Sequence, residues 1–135
     1  MILLTTDEII KLHEKMIERT GGSSGMRDFG LLESAVFSAE NSFDDVEQYP
    51  TVEEKAARLM FSLTNNHAFV DGNKRIGVFV MLMTLELNGI VLNHTQKELI
   101  ELGLSLADGT MNYYEILDFI NRHKLRFHKP AQIRK

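Results

Sequence analysis

Residues 67–77 read HAFVDGNKRIG, and they decide how the 135-residue chain is organised. Asn65 and Asn66, just upstream, are poor helix-interior residues and good terminators, so one helix ends at the NNH of 65–67. Phe69 falls in an extended link and is the natural anchor for the core. Asp71-Gly72 is a turn signal, with Gly72 able to take positive φ at little steric cost. A second helix therefore opens near Gly72-Asn73 and runs to Asn88-Gly89, a C-cap pair. It is apolar nearly all round, which places it at the centre of the molecule. Its longest apolar run, IGVFVMLMTL at 76–85, is too short to span a bilayer. The anomaly is Lys74-Arg75 in its first turn, where the helix dipole disfavours cations.

Working outward, four further helix starts carry the same signal, a small polar residue followed three positions later by Glu: Thr5 with Glu8, Thr51 with Glu54, Thr95 with Glu98, and Asn112 with Glu115. Behind each, apolar residues recur at helical spacing, as in Ile9, Leu12 and Met16 or Ala56, Leu59, Met60 and Leu63. Another helix starts after Asp28 and carries Leu31, Leu32, Ala35, Val36 and Ala39. No alternation long enough for a strand occurs. The expected fold is all-α, a single compact bundle of about six helices with a buried central helix following the 67–75 loop. TGGSSGMRDFG at 20–30 reads as a flexible connector, and NSFDDVEQYP at 41–50 as an acidic loop.

Bulk properties bound the rest. A chain of this length with 44% hydrophobic residues fits one domain, placed at 1–124. Residues 125–135 form a basic tail, expected to be partly disordered. A net charge of -4 and a pI near 5.7 give no whole-domain basic footprint, so direct nucleic-acid binding is not expected. The absence of cysteine excludes disulfides and thiolate metal sites and is compatible with a reducing cytoplasm. MILLTTDEII contains no secretory apolar region, so the chain reads as soluble and cytoplasmic, with no membrane partner.

The 67–75 stretch offers specific chemistry. Backbone N–H groups of Gly72, Asn73 and Lys74 converge at a helix N-terminus, an arrangement that binds anions and phosphate above all. A bound polyphosphate reverses the dipole penalty on the cations, with Lys74 as a point charge and Arg75 as a bidentate fork. Asp71, a carboxylate beside a phosphate site, suits Mg²⁺. His67, of a residue type with an ordinary pKa of ~6.5, is the natural general base for an attacking hydroxyl. Each feature alone has a blander reading: a C-cap histidine, a turn, a solvated charge pair. Together, in nine residues leading into the most apolar helix, they read as a phosphoryl- or nucleotidyl-transfer site. The nucleotide loops G-x-x-x-x-G-K-[ST] and G-x-G-x-x-G are absent, as is H-E-x-x-H. His13, His94, His123 and His128 show no ligand spacing and read as surface or core histidines; Met81 and Met83 read as core filler.

HAFVDGNKR resembles the signature of the Fic/Doc superfamily, H-x-F-x-[D/E]-[G/A]-N-x-R, with His67, Phe69, Asp71, Gly72, Asn73 and Arg75 filling every fixed position. GGSSGMRDFGLLESAV at 21–36 resembles the early loop and second helix of death-on-curing (Doc) toxins, and the likeness covers residues 1 to about 124. Adenylyl-transferring Fic enzymes are similar to G-N-G-R-x-x-R at the end of the motif. Here Lys74 replaces the second glycine and Val78 the second arginine, as in the Doc branch, while Gly72 is the Fic-like choice.

The resemblance implies a Doc-type toxin of a toxin–antitoxin pair. It would be a protein kinase moving the γ-phosphate of ATP, with Mg²⁺, to a threonine hydroxyl of translation elongation factor Tu. It implies His67 as the base, Asp71 as the Mg²⁺ ligand, Gly72 and Asn73 as the phosphate cradle, and Lys74 and Arg75 as neutralisers of the β/γ charge. Gly21, Gly22, Gly25 and Met26 would lie in a flap on which the target docks. Arg27 reads equally as part of that flap or as a surface arginine near a helix start. The resemblance also implies a separate antitoxin whose partly disordered segment covers the site. Two alternatives stay open from the sequence: a Fic-type AMP transferase, and a catalytically silent phosphate- or antitoxin-binding module.

Overall fold

The computed structural model describes residues 1–107, 109 and 112–125. Among these residues six helices follow in chain order: α1 (Thr6–Thr20), α2 (Phe29–Glu40), α3 (Val52–Asn66), α4 (Asn73–Leu87), α5 (Gln96–Ala107) and α6 (Tyr113–His123). Among the described residues no helix is long and apolar enough to cross a membrane.

All four expected capping boxes form. Thr5, Thr51 and Asn112 accept the N–H three residues on, and the matching Glu accepts theirs in return. Thr95 and Glu98 make the same exchange at 3.1 and 2.8 Å. Asp28 caps α2 by accepting the Leu31 N–H at 3.1 Å. Each cap contributes about 1 kcal/mol. The start of α4 differs: its N-cap is Gly72 at φ 77°, and among the described residues no side chain caps the first-turn amides.

Among the described helices, α3 and α4 pack against each other most extensively. Together they feed two apolar clusters. One joins them to α1, α2 and the Ala68-Phe69 link; the other joins them to α5 and α6. The central place expected for α4 is thus shared with α3. The helix is not covered all round, because Phe79, Met83 and Leu87 remain 41%, 37% and 39% exposed. The helices meet closely at Gly77, where a Cβ would come within 2.6 Å of Thr64 Oγ1 and 3.2 Å of the Met60 carbonyl. Gly77→Ala is therefore expected to destabilise the protein by about 1–3 kcal/mol, despite the ~1 kcal/mol gain in helix propensity. Urea unfolding measures this; an unchanged midpoint would show that Thr64 moves aside without cost.

The acidic loop contains a feature too short for an alternation signal. Ser42–Phe43 (β1) pairs antiparallel with Val46–Glu47 (β2), and Asp44 and Asp45 turn between them at φ 53° and 63°. Two consecutive positive-φ residues suit the twist of a tight hairpin, and Asp tolerates that region better than most residues. Lys55, 3% exposed, ties this hairpin to the helices, donating to the Ala39 carbonyl at 3.0 Å and pairing with Glu47 at 3.0 Å.

At the far end, Leu92 bridges to Lys124, and the Leu125 N–H donates to the Val91 carbonyl at 3.0 Å. The tail expected at 125–135 lies, beyond Leu125, outside the described residues. His123 faces two acceptors, the Phe119 carbonyl at 2.8 Å and Glu98 Oε2 at 3.0 Å, so its ring satisfies both only when both nitrogens carry protons. The Thr95 N–H, then the His123 ring, holds the Glu98 carboxyl below its ordinary 4.5. A carboxylate lowered in the folded state stabilises above its unfolded value, and that contribution is lost as pH falls through the folded one. Amide exchange in the first turn of α5 should accelerate as pH falls below about 4.5, once the intrinsic pH dependence is removed. In Glu98→Gln this acceleration should disappear.

Candidate functional site

Residues 67–72 form a tight turn linking α3 to α4. His67 ends α3 in the left-handed region, φ 53° and ψ 47°, a conformation that costs a non-glycine residue about 1–2 kcal/mol. Its side chain is exposed and makes no hydrogen bond among the described residues, whereas its carbonyl accepts from Arg27 Nε at 2.8 Å. Phe69, 2% exposed, drives into the core as the sequence required. Its ring stacks on His13 of α1 at 3.9 Å and 10°.

Asn73 clamps the turn from within. Its Oδ1 accepts the Phe69 N–H and its Nδ2 donates to the Phe69 carbonyl, both at 3.0 Å. Gly72 and Asn73, the residues expected to cradle phosphate, already make hydrogen bonds within the loop. The Asn73 side chain is committed to the loop, and the Gly72 N–H donates to Asp71 Oδ1 at 2.8 Å.

Asp71 is the most elaborately held residue of the loop. Oδ1 accepts from Gly72, Oδ2 accepts the Ser23 N–H at 3.0 Å, and Arg75 Nη2 lies 3.9 Å from Oδ1. The Ser23 amide, then the Gly72 amide, keep its carboxyl below the ordinary 3.8, with Arg75 and His13 adding smaller contributions. The group is ionised at neutral pH and its side chain is 46% exposed. One lone pair on each oxygen remains free of these bonds.

The two cations divide. Lys74 is exposed and makes no ion pair among the described residues. Arg75 turns back to the end of α1, where Nη1 donates to Thr20 Oγ1 and, at 2.9 Å, to the Gly21 carbonyl. A cation at the wrong pole of α4 thus sits at the right pole of α1, with Nη2 directed toward Asp71. Beside the pair, an apolar groove of about 390 Å³ runs between α4 and α5. Val78, Phe79, Leu82, Leu99 and Ile100 line it together with Lys74 and Arg75.

The glycine-rich segment is stitched to this loop rather than a free connector. Met26 bridges to Phe69, the Val70 N–H donates to the Gly25 carbonyl at 3.1 Å, and the Arg27 N–H donates to the Ala68 carbonyl at 2.8 Å. Its glycines serve conformation and close approach. Gly22 sits at φ 112°, and a Cβ there would come within 2.6 Å of Asp71 Oδ2 and 3.0 Å of Arg75 Nη2. Gly21, Gly22 and Ser23 therefore lie over the Asp71–Arg75 pair, while Gly25 and Met26 run beside the 69–70 link. Arg27 acts from outside, holding the His67 carbonyl and, at 3.5 Å, that of Asn66.

The turn thus brings Asp71, Gly72 and Arg75 together, and leaves the His67 and Lys74 side chains pointing to solvent. Three contributors were not identified in the sequence: Thr20, Ser23 and His13. The first two act through a hydroxyl and a backbone amide that carry no motif. His13 had a signal, since it falls on the apolar stripe of α1 between Ile9 and Met16, where a polar side chain needs a partner.

A metal is testable against this donor set. Among the described residues no group of three or more His, Cys, Asp or Glu side chains is placed to hold one. The single ionised carboxylate of Asp71 fits Mg²⁺, which takes one or two carboxylates and completes its shell with phosphate oxygens and water.

The sequence profile described as the Fic/DOC family matches residues 3–85. A protein named Toxin Doc, from Mycolicibacterium smegmatis, is 43% identical over 72 residues, which span 53% of this chain and 55% of that protein. A protein named Protein kinase doc, from Escherichia phage P1, is 29% identical over 119 residues, 88% of this chain and 93% of that protein.

Proposed function

The chain belongs to the Fic/DOC family, and on that premise we propose that it is a Doc-type toxin and protein kinase. In this reading, residues 1–124 form the unit that moves the γ-phosphate of ATP to a hydroxyl side chain of a target protein. The target is a threonine of translation elongation factor Tu, and its modification arrests translation. The chain would act in the cytoplasm, and a separate antitoxin with a partly disordered segment would hold it inactive.

The observation that carries this reading is the first turn of α4. Its amides have no side-chain cap, an exposed Lys74 stands at the position where AMP-transferring relatives resemble glycine, and the ionised Asp71 lies one turn away. His67, exposed at the mouth of the turn, takes the proton of the target hydroxyl. The oxygen then forms a bond to the γ-phosphorus, and the bond from that phosphorus to the β–γ bridging oxygen breaks. ADP leaves with the electron pair. Lys74, Arg75 Nη2 and the amides of Asn73 and Lys74, which have no side-chain cap among the described residues, stabilise the charge that develops on the phosphoryl oxygens. When bound at Asp71, Mg²⁺ supplies further charge neutralisation on those oxygens.

The test is transfer from ATP labelled at the α or the γ position to purified elongation factor Tu, with Mg²⁺ present. Label from the γ position on a threonine is expected. Label from the α position would make the protein an AMP transferase. A tight antitoxin complex with no transfer to that factor or to any lysate protein would make it a binding module.

A further inference from the structure

We propose that His13 is a positioning residue that fixes the Asp71–Gly72 peptide, and through it the Asp71 carboxylate. His13 lies on α1, 1% exposed, with Nε2 at 2.8 Å from the Asp71 carbonyl oxygen. A carbonyl only accepts, so Nε2 carries the proton and donates. Among the described residues, His13 is the hydrogen-bond partner of that carbonyl. The ring cannot swing away, because it is stacked on Phe69.

A trans peptide points its C=O and N–H in opposite directions. With the Asp71 carbonyl drawn inward to His13, the Gly72 N–H is forced outward, where it donates to Asp71 Oδ1. That bond, together with the one from Ser23, sets the orientation of the carboxylate. Gly72, at φ 77°, belongs to a residue type for which the opposite peptide orientation is also sterically open. Local sequence therefore leaves the turn two ways to lie, and a side chain 58 residues away selects one. The assignment goes beyond the proposed activity but rests on it for what the carboxylate binds.

Glutamine and methionine are close in length and volume, and only glutamine can donate to the carbonyl. His13→Gln and His13→Met therefore separate the hydrogen bond from the packing. Two quantities decide: the position of the Gly72 amide resonance in ligand-free protein, and the affinity for inorganic pyrophosphate with Mg²⁺ by calorimetry. His13→Gln should keep the parent resonance and bind within about threefold of the parent. His13→Met should fold, shift the Gly72 resonance, and bind about tenfold to a hundredfold more weakly, as expected when the support of a metal ligand is removed. Parent behaviour in His13→Met, equal losses in both variants, or failure of either to fold would overturn the assignment. A parent protein that binds no pyrophosphate would instead refute the proposed function, and the Gly72 resonance would still decide the role of His13.

Discussion

His67→Ala should reduce phosphate transfer by about 10²–10⁴-fold while leaving the unfolding midpoint within about 0.5 kcal/mol of the parent. Its side chain is exposed and bonds to nothing among the described residues, so little folding energy is at stake in the ring. The backbone is another matter, for His67 holds φ 53° against the preference of any residue with a Cβ. Alanine carries a similar penalty, histidine tolerating that region only somewhat better, which is why stability should stay within that margin. His67→Gly relieves it and should gain up to about 1 kcal/mol, with activity lost to the same degree. Activity and stability then change in opposite directions at one position, the signature of strain retained for function. Initial rates of label transfer and urea unfolding on the three proteins measure both. Full activity in His67→Ala would remove the residue from the chemistry.

Asn73→Ala should have the largest effect on stability, a loss of about 2–4 kcal/mol, with transfer falling in parallel. The side chain satisfies both backbone groups of Phe69 at 3.0 Å, in a partly buried position beneath the loop. Removing it orphans a donor and an acceptor together, next to the core anchor of the turn. Asn73→Asp keeps an acceptor for the Phe69 N–H but sets a carboxylate against the Phe69 carbonyl, so it should recover part of the stability at most. Chemical unfolding and amide exchange across 67–72 give the comparison. If Asn73→Ala lost activity without losing stability, the side chain would serve the ligand directly. That outcome would reverse the structural reading of this residue.

Much of this protein was legible in short stretches of sequence because the signals are local. A capping box spans four residues, and all four folded as written. The apolar stripe of α4, its Asn88 terminus and the Gly72 turn are likewise set by residues within one or two turns of each other. The candidate site is equally local, since His67, Asp71, Gly72, Asn73, Lys74 and Arg75 fall within nine consecutive positions. The two-residue hairpin at 42–47 escaped because its strands are shorter than any period that could announce them.

Which hydrogen bonds these residues make was decided only by the tertiary structure. Arg75 read as a phosphate fork, yet it spends Nη1 on the end of α1, 54 residues away. The glycine-rich segment read as slack, yet it is fastened across Asp71 by the Ser23 amide, 48 residues from its acceptor. His13 read as a surface or core histidine, yet it donates to the carbonyl that orients the loop. In each case at least one partner is a backbone atom, which every residue possesses and no motif can mark. Sequence determined which chemical groups are gathered at the start of α4. Packing of α1 and the 20–27 segment determined which of their hydrogen bonds are already taken, because a donor's partner depends on what the fold brings within about 3 Å and not on its neighbours in the chain.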